Sequence, residues 1–82
     1  EMKILLVTWN DAQDYKDTWT PESEAQAFGQ EACTVSSLGF LVSNTDKYVT
    51  LAGDWNPEDK DYGRITKIPR GMVLSTTTLQ EE

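Results

Sequence analysis

Three features of the sequence predict a single small, mostly-β domain: a five-stranded barrel with one short inserted helix. Runs of β-branched and aliphatic residues recur at close spacing from Cys33 onward, turn chemistry separates them, and one stretch alone carries helix signals. The 82 residues make one domain, residues 1–82. So short a chain buries a modest share of its surface, which makes the core thin and favours a surface groove or a subunit interface over a deep pocket.

The elements follow in chain order. Lys3 to Trp9 is aliphatic and β-branched and reads as a buried strand. Asn10 to Thr20 is polar, with Tyr15 and Trp19 spaced by four, and reads as a loop. Thr20-Pro21-Glu22 places a hydroxyl cap, a proline at the first helical position and an acid in the first turn, and Gly29 is a stop. These signals predict a helix over residues 21–28. Two turns are unstable alone, so the helix is expected to dock on the sheet through Ala25 and Phe28. Val35 to Val42 reads as a strand with Leu38, Phe40 and Val42 on one face, and Gly39 within it suggests a bulge or bend. Asn44-Thr45-Asp46-Lys47 is a turn. Tyr48 to Ala52 completes a hairpin, with Val49 and Leu51 on one face and Tyr48 and Thr50 on the other. Gly53 to Asp61 holds Trp55, Pro57 and four acids and reads as an exposed loop. Gly63 to Ile68 is a fourth strand, the chain turns between Pro69 and Gly71, and Met72 to Leu79 is a fifth strand. The tail 80–82 is expected to fray. Closure into a barrel would remove the edges that a small open sheet presents.

Charge narrows the function classes. Fourteen acidic residues against seven basic ones give a formal charge of −7, which disfavours general binding to nucleic-acid phosphates and to anionic membranes. The distribution is uneven. Between Asn10 and Glu31 stand Asp11, Asp14, Asp17, Glu22, Glu24 and Glu31 against Lys16 alone, whereas Tyr62 to Val73 carries Arg64, Lys67 and Arg70 and no acid. The single cysteine, Cys33, cannot form an internal disulfide, which points to a reducing, cytoplasmic setting, and it reads as a small apolar side chain. No apolar run is long enough to span a membrane. Glu1 ahead of Met2 reads as an addition to a chain that begins at Met2.

Most catalytic devices are excluded by residue type. Histidine is absent, so the commonest general base and a Ser-His-Asp or Cys-His pair are missing, and one cysteine cannot supply a zinc site. No phosphate-binding glycine loop is present. Asp11, Asp14 and Asp17 recur every three residues but lack the alternate-residue spacing and glycine of a calcium loop, so they read as a solvated acidic loop. The expectation is a protein with no catalytic residues, no metal and no cofactor.

Two sets of residues are left as candidate binding elements. The aromatics Trp9, Trp19, Tyr48, Trp55 and Tyr62 either fill the core and pin loops or form a stacking wall for a base or a proline-rich peptide. Trp55, in a polar stretch beside Pro57, is expected to be the exposed one. Arg64, Lys67 and Arg70 either balance acidic neighbours or clamp a phosphate or carboxylate.

The segment from Tyr62 to Val73 resembles the end of an SH3-like barrel, with an Ile-Pro turn leading into the last strand, and the Sm-like fold is a neighbour. The helix after the first strand departs from both patterns. Taken together, Val7-Thr8-Trp9-Asn10-Asp11-Ala12, a following Trp19, Ser36-Ser37-Leu38-Gly39-Phe40-Leu41-Val42, Tyr48-Val49-Thr50-Leu51-Ala52 and Ile68-Pro69-Arg70-Gly71-Met72-Val73 resemble a group of short uncharacterised bacteriophage proteins. That resemblance implies an accessory protein acting in the cytoplasm of an infected bacterium, an antagonist of host defence. Two mechanisms follow. In one, a homo-oligomer sequesters a nucleotide-type signal, with aromatics on the base and Arg64, Lys67 or Arg70 on phosphate. In the other, Asp11, Asp14 and Asp17 belong to an acidic face that binds a host defence protein in the manner of DNA. A peptide-binding or structural SH3-like module is the third alternative.

Overall fold

The computed structural model describes residues 2–81; Glu1 and Glu82 lie outside the described residues, as do the side chains of Gln80 and Glu81. The elements are β1 (Lys3–Asn10), α1 (Glu22–Gly29), β2 (Thr34–Asn44), β3 (Tyr48–Asn56), β4 (Asp61–Pro69), a 3₁₀ turn (Arg70–Met72) and β5 (Val73–Glu81). The chain is mostly β, as its strand-like runs predict. All five strands join one antiparallel sheet in the order β4-β3-β2-β1-β5.

Alternation along the strands divides the side chains between two faces. Leu5 and Val7 of β1, Val49 and Leu51 of β3 and Ile68 of β4 share the inner face and form the buried cluster, with Trp9, Leu41 and Val73 packed against it. Val49 and Leu51 thus face inward together, as their spacing predicts. Ile4 stands opposite Phe40, and Leu6 opposite Leu38, on the outer face. The 3₁₀ turn of three residues carries the chain from β4, at one edge, to β5, at the other. Three residues span about 10 Å at most, so the sheet must curl strongly at that end. Arg70 N–H donates to the Lys47 carbonyl at 2.9 Å and fastens the turn to the start of β3.

The curl stops short of closure. Among the described residues no ladder joins β4 to β5, and the sheet remains open where a barrel was expected. The edges are blunted instead. β5 is irregular against β1 at two places, leaving Leu74 and Leu79 as extra residues, and bulges of this kind discourage further pairing. In β4, Arg64 takes a left-handed backbone (φ 51°), and Pro69 ends the strand without a donor.

Several local expectations are corrected. The bulge of β2 falls at Val42, between Leu41 and Ser43, and not at Gly39. Gly39 answers a different need: a Cβ there would lie 2.6 Å from the Ala52 carbonyl oxygen. The Gly53–Asp61 stretch is not a loop, because β3 runs to Asn56 and β4 begins at Asp61. Their tight turn is held by Asn56, whose side-chain oxygen accepts from Glu58 N–H (3.0 Å) and Asp59 N–H (3.4 Å). Gln80 and Glu81, in the tail expected to fray, stand opposite Ile4 and Lys3 in the β1–β5 ladder, and Glu82 lies outside the described residues. The helix α1 buries no residue and does not dock through Ala25 and Phe28.

Candidate functional site

The connection between β1 and β2 forms an arm. Its base is set by Asp11 N–H donating to the Cys33 carbonyl at 2.9 Å, one step beyond the last ladder pair, Asn10 with Thr34. Beyond that point the arm is held by its own contacts. The Tyr15 and Phe28 rings lie 4.6 Å apart. The Tyr15 hydroxyl donates to Glu24 Oε2 at 2.8 Å, and Lys16 Nζ reaches the same oxygen at 3.4 Å. Donation to the Glu24 carboxylate holds the Tyr15 hydroxyl above its ordinary pKa of 10.0, because ionising it would break that bond. Glu22 and Glu24 sit in the first turn of α1, where the helix dipole favours acids.

Trp19 is carried on this arm with 99% of its surface exposed. Asp11, Asp14 and Asp17 are exposed on the same arm, and Asp17 lies next to Trp19. Among the described residues no group of three or more acids, cysteines or histidines is arranged to hold a metal ion.

A second feature opens in the sheet itself. The β2–β3 ladder covers Phe40 to Asn44 of β2 only, while β2 continues back to Thr34 with β1 and β3 continues to Asn56 with β4. The two strands therefore splay apart. Between them lies a cleft of about 300 Å³ lined by Ser37, Leu38, Leu51, Ala52, Arg64 and Thr66. Leu38, at its wall, is 60% exposed.

The cleft has a polar rim of known geometry. Arg64 grips Asp54 with two hydrogen bonds, Nε to Oδ2 at 2.8 Å and Nη2 to Oδ1 at 3.2 Å, and its Nη2 also approaches the Gly53 carbonyl at 3.4 Å. Gly53 makes this possible, because a Cβ there would meet the guanidinium at 2.7 Å. The hydrogen bonds from Arg64 hold the Asp54 carboxyl below its ordinary 3.8, against a smaller opposing effect of desolvation. Ser37 Oγ accepts from the Trp9 indole N–H at 3.0 Å.

The remaining candidates are dispersed. Trp9 belongs to the core, as its hydrogen bond to Ser37 and its contact with the buried cluster require. Trp55 is not an exposed loop residue; it is half-buried in β3 and pairs with Tyr62 across the hairpin, ring centroids 4.8 Å apart. Lys67 Nζ lies 4.5 Å from the Tyr48 ring centroid. Arg70 Nε donates to the Thr45 carbonyl at 3.0 Å. Of the three cations, Arg64 alone lines the cleft. Sequence reasoning missed Ser37, Leu38 and Thr66 as cleft residues, since strand divergence leaves no mark in a local pattern.

In comparisons with known proteins, no family model matches the chain, and no curated protein sequence or solved structure matches it. No helix among the described residues is long and apolar enough to cross a membrane.

Proposed function

We propose that the protein is a non-enzymatic binding protein whose acidic arm engages a protein partner. The carrying observation is Trp19, 99% exposed on an arm that the chain's own aromatic and hydrogen-bond contacts hold in shape. An indole presented in this way exposes a large apolar area that water solvates poorly, and tryptophan is among the residues that dominate binding energy at interfaces. The surrounding acids select for a basic partner surface and speed encounter with it. The resemblance to short phage proteins directs the search to a host defence protein in the bacterial cytoplasm.

The test is capture of a host protein from bacterial extract by the full chain. Trp19→Ala and the triple reversal of Asp11, Asp14 and Asp17 to Lys are each expected to abolish it, and Arg64→Ala to leave it intact. Undiminished capture by Trp19→Ala would rule the arm out as the binding element.

A second reading, sequestration of a nucleotide-type ligand, draws on the cleft. Arg64 offers a guanidinium and Ser37 and Thr66 offer hydroxyls around an apolar floor. Its volume, about 300 Å³, stands at the lower bound of small-molecule pockets, and the Arg64 charge is already matched by Asp54. Tight binding must raise the melting temperature. A panel of linear and cyclic nucleotides that leaves it unmoved, at concentrations far above a micromolar dissociation constant, would end this reading.

A further inference from the structure

We infer that the free edge of β2, from Thr34 to Leu38, is a docking strand: it takes up an extended, uncharged peptide of a partner protein by β-pairing, with one aliphatic side chain of the peptide seated beside Leu38. This surface is separate from the acidic arm and does not depend on the arm's role.

Backbone pairing is the first support. β2 runs against β1 through seven consecutive pairs, from Asn10 with Thr34 to Ile4 with Phe40, without a shift of register. In an antiparallel ladder alternate residues of a strand bond to one neighbour and those between them to the other. β3 meets β2 only from Phe40 onward. From Thr34 to Leu38, every second residue therefore turns an N–H and a C=O toward no strand among the described residues. Such a row of groups is a template for another extended backbone.

The shape of the opening is the second. Neighbouring residues on a strand point to opposite faces, and the cleft is lined by Ser37 with Leu38 and by Leu51 with Ala52. It therefore lies in the plane of the sheet, where a strand adds, and not on one face. It begins where β3 departs. There the β3–β4 ladder pairs Ala52 with Ile65 and Asp54 with Gly63 but skips Gly53 and Arg64, the residue with the left-handed backbone (φ 51°). The outer edges of the sheet are guarded, β5 by its irregularities and β4 by Arg64 and Pro69. The β2 edge carries no bulge, lysine or proline between Thr34 and Leu38.

Side-chain chemistry narrows the occupant. Adjoining the cleft on the outer face is an apolar recess of about 210 Å³ formed by Ile4, Leu38, Gly39, Phe40 and Gly53. A strand laid along β2 projects every second side chain to that face. A recess of this size falls below the range of drug-sized ligands and suits one aliphatic side chain. No charged residue stands between Thr34 and Leu38, and the ion pair at the rim, Asp54 with Arg64, is matched within itself. In a chain of net charge −7 this strip is neutral, so a charge on the peptide would be desolvated there without a partner, at a cost.

A library of random dodecapeptides displayed on phage, panned against the full chain, tests this. Selected peptides are expected to share an uncharged, alternating core with an aliphatic anchor. A synthetic copy of a selected peptide should slow amide exchange between Thr34 and Leu38. N-methylation along that peptide should abolish binding at every second position only, the signature of strand pairing. Leu38→Glu, at a side chain 60% exposed in the free chain, is expected to raise the dissociation constant about tenfold or more, the scale of a binding hot spot. Trp19→Ala is expected to leave it unchanged. A panning that yields no peptide, protection that falls on β4 or β5, an N-methyl scan without alternation, or undiminished binding by Leu38→Glu would each overturn the inference. So would basic peptides whose binding is lost in Trp19→Ala, an outcome that supports the arm as the binding element instead.

Discussion

At the scale of single residues, backbone approach decides more than side-chain type. The sequence marks Gly39 as special, yet its reason is visible only once β2 is set against β3: the Ala52 carbonyl leaves no room for a Cβ. Gly39→Ala is therefore expected to destabilise the fold by about 1–3 kcal/mol, the range for overpacking a rigid neighbour, as read by chemical denaturation. Gly53→Ala meets a flexible guanidinium, so Arg64 swings aside at small cost. Titration reads out the same pair. A carboxyl whose folded pKa is depressed contributes stability above its unfolded pKa and loses it as pH falls through the folded value. The Asp54–Arg64 contribution therefore fades below pH 3.8 and is complete at neutrality. In Arg64→Gln, NMR titration should return the Asp54 carboxyl to its ordinary range; an unchanged midpoint would contradict the assigned cause. Trp19 illustrates the opposite limit of legibility. Its neighbours in sequence are polar whether it packs or projects, so only the structure separates the two.

Elements were legible where punctuation is strong. Pro21 and Gly29 bracket the helix, and Val49 with Leu51 shows the inward face of β3, because these signals are local. The outer half of the β3–β4 hairpin was not legible. An exposed two-stranded ribbon needs no apolar alternation, so Asp54 and Asp61 look like loop residues although backbone pairing and the Trp55–Tyr62 contact order them. The arm behaves as an element of its own. Two helical turns held by Tyr15, Phe28 and Glu24 should open far more readily than the sheet. Hydrogen exchange is expected to be faster across residues 22–30 than in β1 or β3. Phe28→Ala should abolish that protection while leaving the sheet's stability within about 0.5 kcal/mol. At high pH the Tyr15 contact is present below pH 10.0 and lost as pH rises through the raised pKa, the sign expected when the protonated form is favoured by folding. Glu24→Gln should bring Tyr15 ionisation back toward 10.0 in an ultraviolet titration.

At the scale of the molecule, the curl of the sheet and the projection of the arm set the shape. The radius of gyration is 16.5 Å and the longest extent 54 Å, against about 12 Å expected for the radius of a compact chain of this length. Closure was not legible because it depends on how far strands curl after they pair, which no local pattern encodes. The elongated outline is also what leaves Trp19 and the cleft free to meet other molecules. The central claim, that Trp19 is a presented binding group, is tested most directly by fluorine NMR of protein labelled with 5-fluorotryptophan. Trp9, Trp19 and Trp55 give three resonances, and Trp19→Phe assigns one. The Trp19 resonance is expected to show the full solvent-isotope shift of an exposed indole. A Trp19 resonance shielded from solvent would contradict the claim, since the indole would then be packed within its own chain.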